Sequence, residues 1–303
     1  MNRKFKIALI IPYFGKWPQW TPLFLHSCKE NSDMDFHIFT DSNLRVCDVG
    51  SNIILHTIDF KDYCAIASNV LGINFTPENP YKICDLRPFF GIVHHDLLAS
   101  GNYTFWGYGD VDLIWGRIRH FYTDDLLSHY DMLSSHSDRL SGHFCMVRNN
   151  DRCNRLCFSI KKWQDKLSDC RHYALDEQDF TLTVWPKAKW FWKLHTKVFF
   201  KLPLNDEWNS YVRFCTKFGR WLGKPNNILF REMYTTPFSS CDDNRVLYTY
   251  DGICVMDSIR KKEVPYVHFY SIKKNWGNLS QLPAAPNNYH NVEIRRNGIY
   301  YKI

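Results

Sequence analysis

The stretch Tyr103-Thr-Phe-Trp-Gly-Tyr-Gly-Asp-Val-Asp-Leu-Ile-Trp-Gly116 places two carboxylates one residue apart directly after an aromatic run. The aromatic and β-branched residues before Gly107 predict a strand that is buried on both faces. Asp110 and Asp112 would then lie at the strand end with their side chains on one face, where their oxygens can hold a hard divalent cation. A turn or a solvated loop is the alternative, since Asp is common in turns. The flanking aromatic residues favour the metal, because a buried carboxylate needs a cation or hydrogen-bond donors.

The chain before this stretch predicts strands alternating with helices. Residues 6–15 form an apolar run that ends in Pro-Tyr-Phe-Gly and is typical of a buried strand, and residues 17–31 carry apolar side chains at helical spacing. Two further strands are predicted at residues 36–41 and 52–58. This alternation predicts an α/β fold with a Rossmann-type, mainly parallel central sheet and helices on both faces.

Ligands of such sheets bind at the carboxyl ends of the strands. Three of the predicted strands end at Pro12 and Tyr13, at Asp41, and at the Asp110–Asp112 pair. We therefore expect these residues to lie along one edge of the sheet and to form a ligand site there.

The composition describes a basic, aromatic-rich globular protein. Hydrophobic residues make up 45% of the chain and aromatic residues 17%, and the net charge is +7. The positive charge favours anionic partners, among them nucleotide diphosphates, nucleic acid and acidic lipids. Eleven cysteines without a repeated C-x-x-C pair fit free thiols in a reducing cytoplasm better than disulfides or structural zinc. The apolar runs are too short for a signal peptide or a transmembrane helix.

Residues 81–91, Tyr-Lys-Ile-Cys-Asp-Leu-Arg-Pro-Phe-Phe-Gly, predict a helix. Asp85 would cap this helix, and its first turn would accept Pro88. Lys82 would then precede a helix N-terminus, where a cation and the helix end act together on a phosphate. The alternative for Lys82 is a solvated surface lysine.

Beyond the two aspartates, residues 116–130 predict a helix, and residues 131–135 and 142–148 predict strands. The run Asp176-Glu-Gln-Asp-Phe180 predicts the start of another helix. Acidic residues in a first turn are favourable with the helix dipole alone, so capping competes with a functional role for Asp176 and Glu177.

The composition becomes basic and aromatic within residues 185–235, for example in Trp185-Pro-Lys-Ala-Lys-Trp-Phe-Trp-Lys193. Lysines beside aromatic residues at helical spacing predict a helical insertion that lies on an anionic membrane surface. A helical cover over the ligand cleft is the alternative. The C-terminal part predicts strands again, with hairpin turns at Asp251-Gly252 and Asn297-Gly298. We therefore predict a single catalytic domain over residues 1–303 with this insertion embedded in it.

A third candidate metal ligand lies in Val267-His-Phe-Tyr-Ser-Ile-Lys-Lys-Asn-Trp276. One imidazole and two carboxylates make a suitable shell for Mn²⁺ or Mg²⁺, with diphosphate oxygens as further ligands. A lone histidine on an apolar strand is usually a core residue, which is the alternative for His268. The adjacent Lys273 and Lys274 suit a diphosphate and favour the ligand role.

With these residues the chain resembles a GT-A glycosyltransferase, a fold in which Asp-x-Asp holds a metal that bridges the nucleotide diphosphate. The tail is similar to His-x-x-Gly-x-x-Lys-Pro-Trp of the glycogenin-like and galactosyltransferase group. His268, Lys274 and Trp276 are in register with that motif, whereas Ser271 replaces the Gly and Asn275 the Pro. The resemblance covers about residues 1–185 and 240–280, and extends to uncharacterised bacterial proteins of surface-polysaccharide loci.

The resemblance implies roles for individual residues. Asp112 and His268 would ligate the metal, Asp110 would contact the metal and the ribose, and Asp41 would contact the nucleoside. Gly142 and His143 are the implied contacts of the donor sugar, and Lys274 would stabilise the leaving diphosphate. The strand-end and helix-end patterns described above add Pro12, Tyr13 and Lys82 as expected donor contacts. Asp176 and Glu177 are the implied catalytic acids, at the position where the fold contacts the donor sugar and the acceptor.

The expected activity is metal-dependent transfer of a sugar, with retention favoured, from a nucleotide diphosphate such as a UDP-sugar. The expected acceptor is a glycan or lipid-linked glycan in bacterial capsule or O-antigen synthesis. We expect a cytoplasmic protein, with peripheral attachment to the inner membrane face left open, and no nucleic-acid partner. Two other classes stay open: a metal-dependent nucleotidyltransferase, and a non-enzymatic protein that binds nucleic acid or membranes.

Overall fold

A computed structural model describes residues 4–42, 44, 50–190, 192, 221, 223–237, 244–276 and 289–301. The strands within these residues are β1 Ile7–Pro12, β2 Asp35–Thr40, β3 Ile53–Thr57, β4 Phe105–Gly109, β5 Leu113–Trp115, β6 Met132–Ser134, β7 Phe144–Arg148, β8 Ile228–Phe230, β9 Val246–Tyr250, β10 Val255–Asp257, β11 Lys262–Val264, β12 Tyr266–His268, β13 Val292–Arg295 and β14 Gly298–Tyr301.

The α-helices are α1 Thr21–Lys29, α2 Phe60–Leu71, α3 Phe90–Val93, α4 His95–Ser100, α5 Ile118–Phe121, α6 Asp124–His129, α7 Asp151–Asn154, α8 Trp163–Ser168 and α9 Phe180–Val184. Residues Pro80–Phe89, Arg155–Ser159 and Lys273–Asn275 form 3₁₀ helices, and Leu175–Asp179 forms one π-helical turn.

The described residues group into two compact units. The first unit is drawn from Met1–Asp59, Gly109–Leu127 and Met233–Ile303, and the second from Phe60–Tyr108 and Ser128–Glu232. Each unit therefore combines segments that are distant in sequence. The prediction of one catalytic domain over residues 1–303 stays a prediction.

The first unit begins with a parallel sheet in the order β3-β2-β1. Residues Ile7 to Ile11 of β1 are all buried, which explains why this strand is an unbroken apolar run rather than an alternating one. Helix α1 connects β1 to β2 and contains Pro22 in its first turn, where the missing N–H needs no partner.

The C-terminal part of the first unit forms a five-stranded antiparallel sheet in the order β11-β10-β9-β13-β14. Both predicted hairpins are present, β9–β10 and β13–β14. Gly252 has φ +99, a backbone conformation that glycine adopts readily, at the first of these turns. Strand β12 follows β11 along the chain but is not part of this sheet; it pairs antiparallel with β5.

The second unit contains β4, β7, β6 and β8 as neighbours in that order. β6 runs antiparallel to β7 and parallel to β8. Helix α2 and the 3₁₀ helix Pro80–Phe89 belong to the same unit. With strands that are mostly parallel and flanked by helices, the predicted α/β class is confirmed.

Two local predictions were wrong. Residues 116–130 form two short helices, α5 and α6, rather than one. The helix near residue 85 starts earlier than expected, because Asn79 accepts a hydrogen bond from Tyr81 N (3.0 Å) and Pro80 takes the first helical position. Asp85 lies inside this helix and does not cap it.

Most of the predicted insertion at residues 185–235 lies outside the described residues. Among the residues that the structure does describe, no helix is both long enough and apolar enough to span a bilayer.

A pair of histidines on β2 and β3 predicts how the stability of the first unit depends on pH. His37 Nδ1 and His56 Nε2 lie 3.0 Å apart, and burial together with the His56 charge lowers the pKa of His37 from 6.5 to about 4. Between pH 4 and pH 6.5 the unfolded chain therefore binds more protons at His37 than the folded protein does. The contribution of His37 to the free energy of unfolding is thus full above pH 6.5 and is lost as the pH falls toward 4. The effect is on the order of 1–2 kcal/mol after allowance for partial solvent access.

We expect His37→Asn to flatten the decline of melting temperature between neutral pH and pH 5, measured by circular dichroism. His95→Asn, at an exposed helix position, is the matched control and should follow the wild-type curve. If the melting temperatures of wild type and His37→Asn fall in parallel as the pH is lowered, the histidine pair does not cause the pH dependence of stability.

Candidate functional site

The two aspartates of the Asp-x-Asp motif connect β4 to β5 in a tight, packed segment. A Cβ atom on Gly109 would lie 2.9 Å from the Trp115 ring, so any larger residue at position 109 would clash with this ring. Trp20 Nε1 donates to Val111 O (2.9 Å), and Phe269 N donates to Asp112 O (3.2 Å). These bonds fix the backbone of the motif itself.

His268 reaches the same segment through strand pairing. It is the last residue of β12 and lies opposite Leu113 of β5. Its Nε2 lies 3.6 Å from Asp112 Oδ1 and 3.9 Å from Asp110 Oδ2. One ligand atom from each of the three side chains lies within 4.8 Å of the others. The structure thus brings the three predicted ligands together.

The charges around Asp112 keep its carboxylate ionised. Burial alone would raise its pKa, but His268 and Lys273 lower the pKa well below the usual range. Lys273 Nζ donates to Asp112 Oδ2 at 2.7 Å, while Oδ1 lies toward the imidazole. One carboxylate oxygen is therefore held by the ammonium, and the other is directed at the remaining ligands.

This donor set fits a divalent cation. Two carboxylates and an imidazole are ligands that Mn²⁺, Mg²⁺ and related ions accept, and the observed separations allow a shared ion after small side-chain movements. Asp112 is only 4% exposed, whereas the Asp110 side chain is 26% exposed. The group thus has one fixed inner carboxylate and one outer carboxylate that solvent can reach.

Sequence reasoning selected Lys274 as the basic residue of the tail, but the structure places its neighbour Lys273 on Asp112. Lys274 Nζ lies 5.2 Å from the ring centroid of the exposed Tyr270, whose ring also stacks on His268 at 5.8 Å. Two adjacent lysines give no sequence signal that tells which one turns inward. The donor-binding role of Lys274 stays a prediction.

The loop after β1 lies in the same unit. Gly15 N donates to Asp41 Oδ1 (2.9 Å), and the Tyr13 and Trp17 rings lie 4.6 Å apart. Burial raises the pKa of Tyr13, with opposing contributions from the charges of Lys273 and Asp112. The nucleotide contacts expected of Pro12, Tyr13 and Asp41 stay predictions.

The second unit brings together four other predicted residues. Gly142 N donates to Glu177 Oε1 (3.1 Å), and a Cβ on Gly142 would lie 3.0 Å from Asp176 Oδ2. His143 follows Gly142 and is buried, with Nδ1 3.2 Å from Ser141 Oγ. The catalytic role of the two acids and the donor contacts of Gly142 and His143 stay predictions.

Arg87 completes this second group, and sequence reasoning missed it. Its guanidinium bonds both Gly142 O and Asp176 Oδ2, the latter at 3.0 Å. A sequence signal for Arg87 was available. Lys82, Asp85 and Arg87 lie within six residues of one otherwise apolar helix, and charged groups on such a helix need partners elsewhere in the protein.

Lys82 is 1% exposed, and its ammonium donates to Asp85 Oδ2 (2.9 Å) and to the carbonyl oxygens of Lys166 and Arg171. A solvated surface lysine, the alternative considered from the sequence, is therefore wrong. The expected phosphate contact of Lys82 stays a prediction, although its three donors are already used by the protein.

The geometry predicts that Asp112→Asn lowers the affinity for Mn²⁺ about tenfold or more, because the inner carboxylate loses its charge. Isothermal titration calorimetry measures the affinity, and circular dichroism verifies the fold. Asp151→Asn, an exposed helix-start acid in the second unit, is the control and should bind as wild type does. Equal binding by wild type and Asp112→Asn would rule out this centre.

Comparison with known proteins gives similar structures and a family. No curated protein matches the chain. A galactosyltransferase, LgtC, solved with donor and acceptor sugar analogues, is 11% identical, with a TM-score of 0.31 over 57% of this chain and 71% of that one. An active-site mutant of LgtC gives 10% identity and a TM-score of 0.32 over the same shares. Mouse xyloside xylosyltransferase 1 in its apo form gives 12% identity and a TM-score of 0.34 over 77% and 99%.

Similarity at this level says nothing about substrate or mechanism, so the chemistry has to follow from the residues of the chain itself. The sequence profile of a family of unknown function, DUF6625, matches residues 9–299, and the chain therefore belongs to this family.

Proposed function

We propose that the protein is a metal-dependent glycosyltransferase that uses a nucleotide-diphosphate sugar. The observation that carries the proposal is the convergence of Asp110, Asp112 and His268, with Lys273 bonded to the buried carboxylate. A metal centre beside a fixed ammonium suits a substrate that carries two phosphates, because both provide positive charge at short range.

Asp110, Asp112 and His268 would hold the cation. Such a cation, when bound, stabilises the negative charge that develops on a departing diphosphate. Other residues of the chain supply further groups for binding the donor. Lys273 keeps Asp112 charged. Lys274, the next residue, provides a second ammonium close to the exposed ring of Tyr270. A flat exposed ring next to cations can contact a sugar or a base.

Asp176 and Glu177 are the proposed acids at the reacting sugar. Asp176 is 3% exposed and bonded to Arg87, which stabilises its charged form. An ionised carboxylate of this kind supports the positive charge of an oxocarbenium-like state, which is the role expected in a retaining reaction. The proposed donor is a UDP-sugar, and the proposed acceptor is a glycan or lipid-linked glycan of a bacterial surface polysaccharide.

The proposal predicts that UDP raises the melting temperature only when Mn²⁺ or Mg²⁺ is present. It also predicts slow, metal-dependent hydrolysis of one nucleotide-sugar in a screen of such donors. Asp112→Asn should lose at least about 100-fold in hydrolysis rate while melting near the wild-type temperature.

The screen separates the rival classes. Release of pyrophosphate from a nucleoside triphosphate, with no sugar released from any donor, would identify a nucleotidyltransferase instead. Stabilisation by an oligonucleotide alone, without metal, would identify a binding protein. Full hydrolysis in excess chelator would contradict the metal-dependent mechanism.

We further propose that residues 185–235 bring the enzyme to an acceptor at an anionic membrane surface. Trp190 and Trp221 support this, since they are 69% and 74% exposed and tryptophan suits the headgroup boundary. Lysines near such a surface contribute on the order of 1 kcal/mol each.

Liposome flotation tests the membrane role. Wild-type protein should float with anionic vesicles at low salt and should not float at high salt, because the attraction is electrostatic. Trp190→Ser/Trp221→Ser should float less yet hydrolyse the donor at the wild-type rate. Wild-type protein that stays with the soluble fraction at low salt would exclude the membrane role.

A further inference from the structure

The 3₁₀ helix Pro80–Phe89 carries an ion pair that is fully enclosed by protein. Lys82 and Asp85 are one helical turn apart, their side chains are 1% and 0% exposed, and Nζ lies 2.9 Å from Oδ2. A pair so completely removed from water persists only if the remaining donors and acceptors find partners. The partners therefore indicate what the pair does.

The hydrogen bonds of the pair go to backbone groups of a single segment, residues 166–175. Lys82 Nζ donates to the carbonyl oxygens of Lys166 (2.6 Å) and Arg171 (2.5 Å). Asp85 accepts from Tyr173 N at Oδ2 (2.8 Å) and from Leu175 N at Oδ1 (2.9 Å). His172 adds a side-chain contact, with Nε2 3.6 Å from Asp85 Oδ1.

The segment that is fixed in this way leads directly into the two acids. Asp176 and Glu177 follow Leu175, whose N–H is the last group bound by Asp85. Ala174 has φ +54, a left-handed conformation that costs free energy for a residue with a Cβ. The turn that follows is π-helical, a rare form that often occurs at functional sites. This backbone conformation needs an external constraint, and the ion pair provides it.

The same helix also contacts the side chain of the first acid. Arg87, two residues beyond Asp85, bonds Asp176 Oδ2 and Gly142 O. Gly142 N in turn donates to Glu177 Oε1, an approach that a Cβ at residue 142 would block, since it would lie 2.8 Å from Glu177 Cγ. Side chains of one ten-residue helix thus hold both the backbone that precedes the two acids and the Asp176 carboxylate.

We infer that Lys82 and Asp85 are positioning residues that set the place of Asp176 and Glu177 at the reacting sugar. This inference deepens the proposed function and depends on it, because the two acids act in that reaction. It gives Lys82 a role different from the phosphate contact expected from the sequence. Neither residue touches the substrate; both act through the backbone of residues 166–175.

A purely structural ion pair is the rival explanation, and kinetics distinguishes the two. Displacing a catalytic group by about 1 Å costs up to about 100-fold in rate without weakening the binding of the nucleotide. Loss of a structural pair alone would lower stability and reduce the amount of active protein, with kcat per folded molecule unchanged.

Asp85→Asn is the main variant, because it keeps the size of the side chain and removes the charge that binds Tyr173 N and Leu175 N. We expect kcat for donor hydrolysis to fall about 10- to 100-fold, with KM for the donor and the affinity for UDP with Mn²⁺ within about twofold of wild type. Hydrogen exchange measured by mass spectrometry on peptides covering residues 170–178 should accelerate about tenfold or more.

Lys82→Met/Asp85→Asn removes both charges and is expected to fold, since it leaves no unpaired charge in the interior. Its kcat should stay low even where its melting temperature equals that of wild type. Lys161→Met, at an exposed position of the same unit, is the matched control for loss of a lysine and should keep wild-type kcat and exchange.

Wild-type kcat in folded Asp85→Asn, or a loss of activity that follows the melting temperature alone, would overturn the positioning role. Wild-type enzyme that hydrolyses no nucleotide-sugar would instead overturn the proposed function. In that case the exchange data still decide the local claim: unchanged exchange at residues 170–178 would show that the pair does not fix this segment.

Discussion

The first unit depends on the burial of one carboxylate. Asp112 is 4% exposed, and a carboxylate in such surroundings stays charged only if cations or hydrogen-bond donors replace the lost water. Lys273, 161 residues further along the chain, supplies a cation that donates to this carboxylate, and the His268 imidazole lies 3.6 Å from its other oxygen. The pairing of β12 with β5 and the short 3₁₀ turn after it are the structural means that bring these two side chains back to the motif.

This constraint also explains the apolar residues around the motif. Ile114, Val267 and Phe269 belong to one buried cluster with Leu23 of α1, so the strands that carry the ligands are part of the core. Charged groups attached to core strands lose little entropy when a ligand binds, because their backbone is already fixed. The outer carboxylate, Asp110, keeps contact with solvent and gives a cation a route to the inner one.

The second unit applies the same principle to a different pair of acids. Asp176 and Glu177 are held by Arg87, by the N–H of Gly142 and, through the preceding backbone, by Lys82 and Asp85. In each unit, one buried acid, Asp112 or Asp176, is held by a basic side chain from a segment that is distant in sequence. Two buried charged groups of this kind are more than a stable fold requires, since apolar residues would fill the same volume at lower cost. Their presence is better explained by the need to hold carboxylates at set positions.

The α/β class, the early strands and the metal-ligand candidates could all be predicted from the amino-acid sequence alone. Apolar runs such as that of β1 and the pattern Asp110-Val111-Asp112 are local signals, and each depends on residues that are adjacent in the chain. The three-dimensional structure was needed to establish that Lys273 rather than Lys274 bonds Asp112, because the direction of two neighbouring side chains depends on the turn that carries them. It also established that Lys82 is enclosed by protein. That enclosure depends on contacts with residues 166–175, up to about ninety positions away, and local sequence patterns carry no information about contacts over such distances.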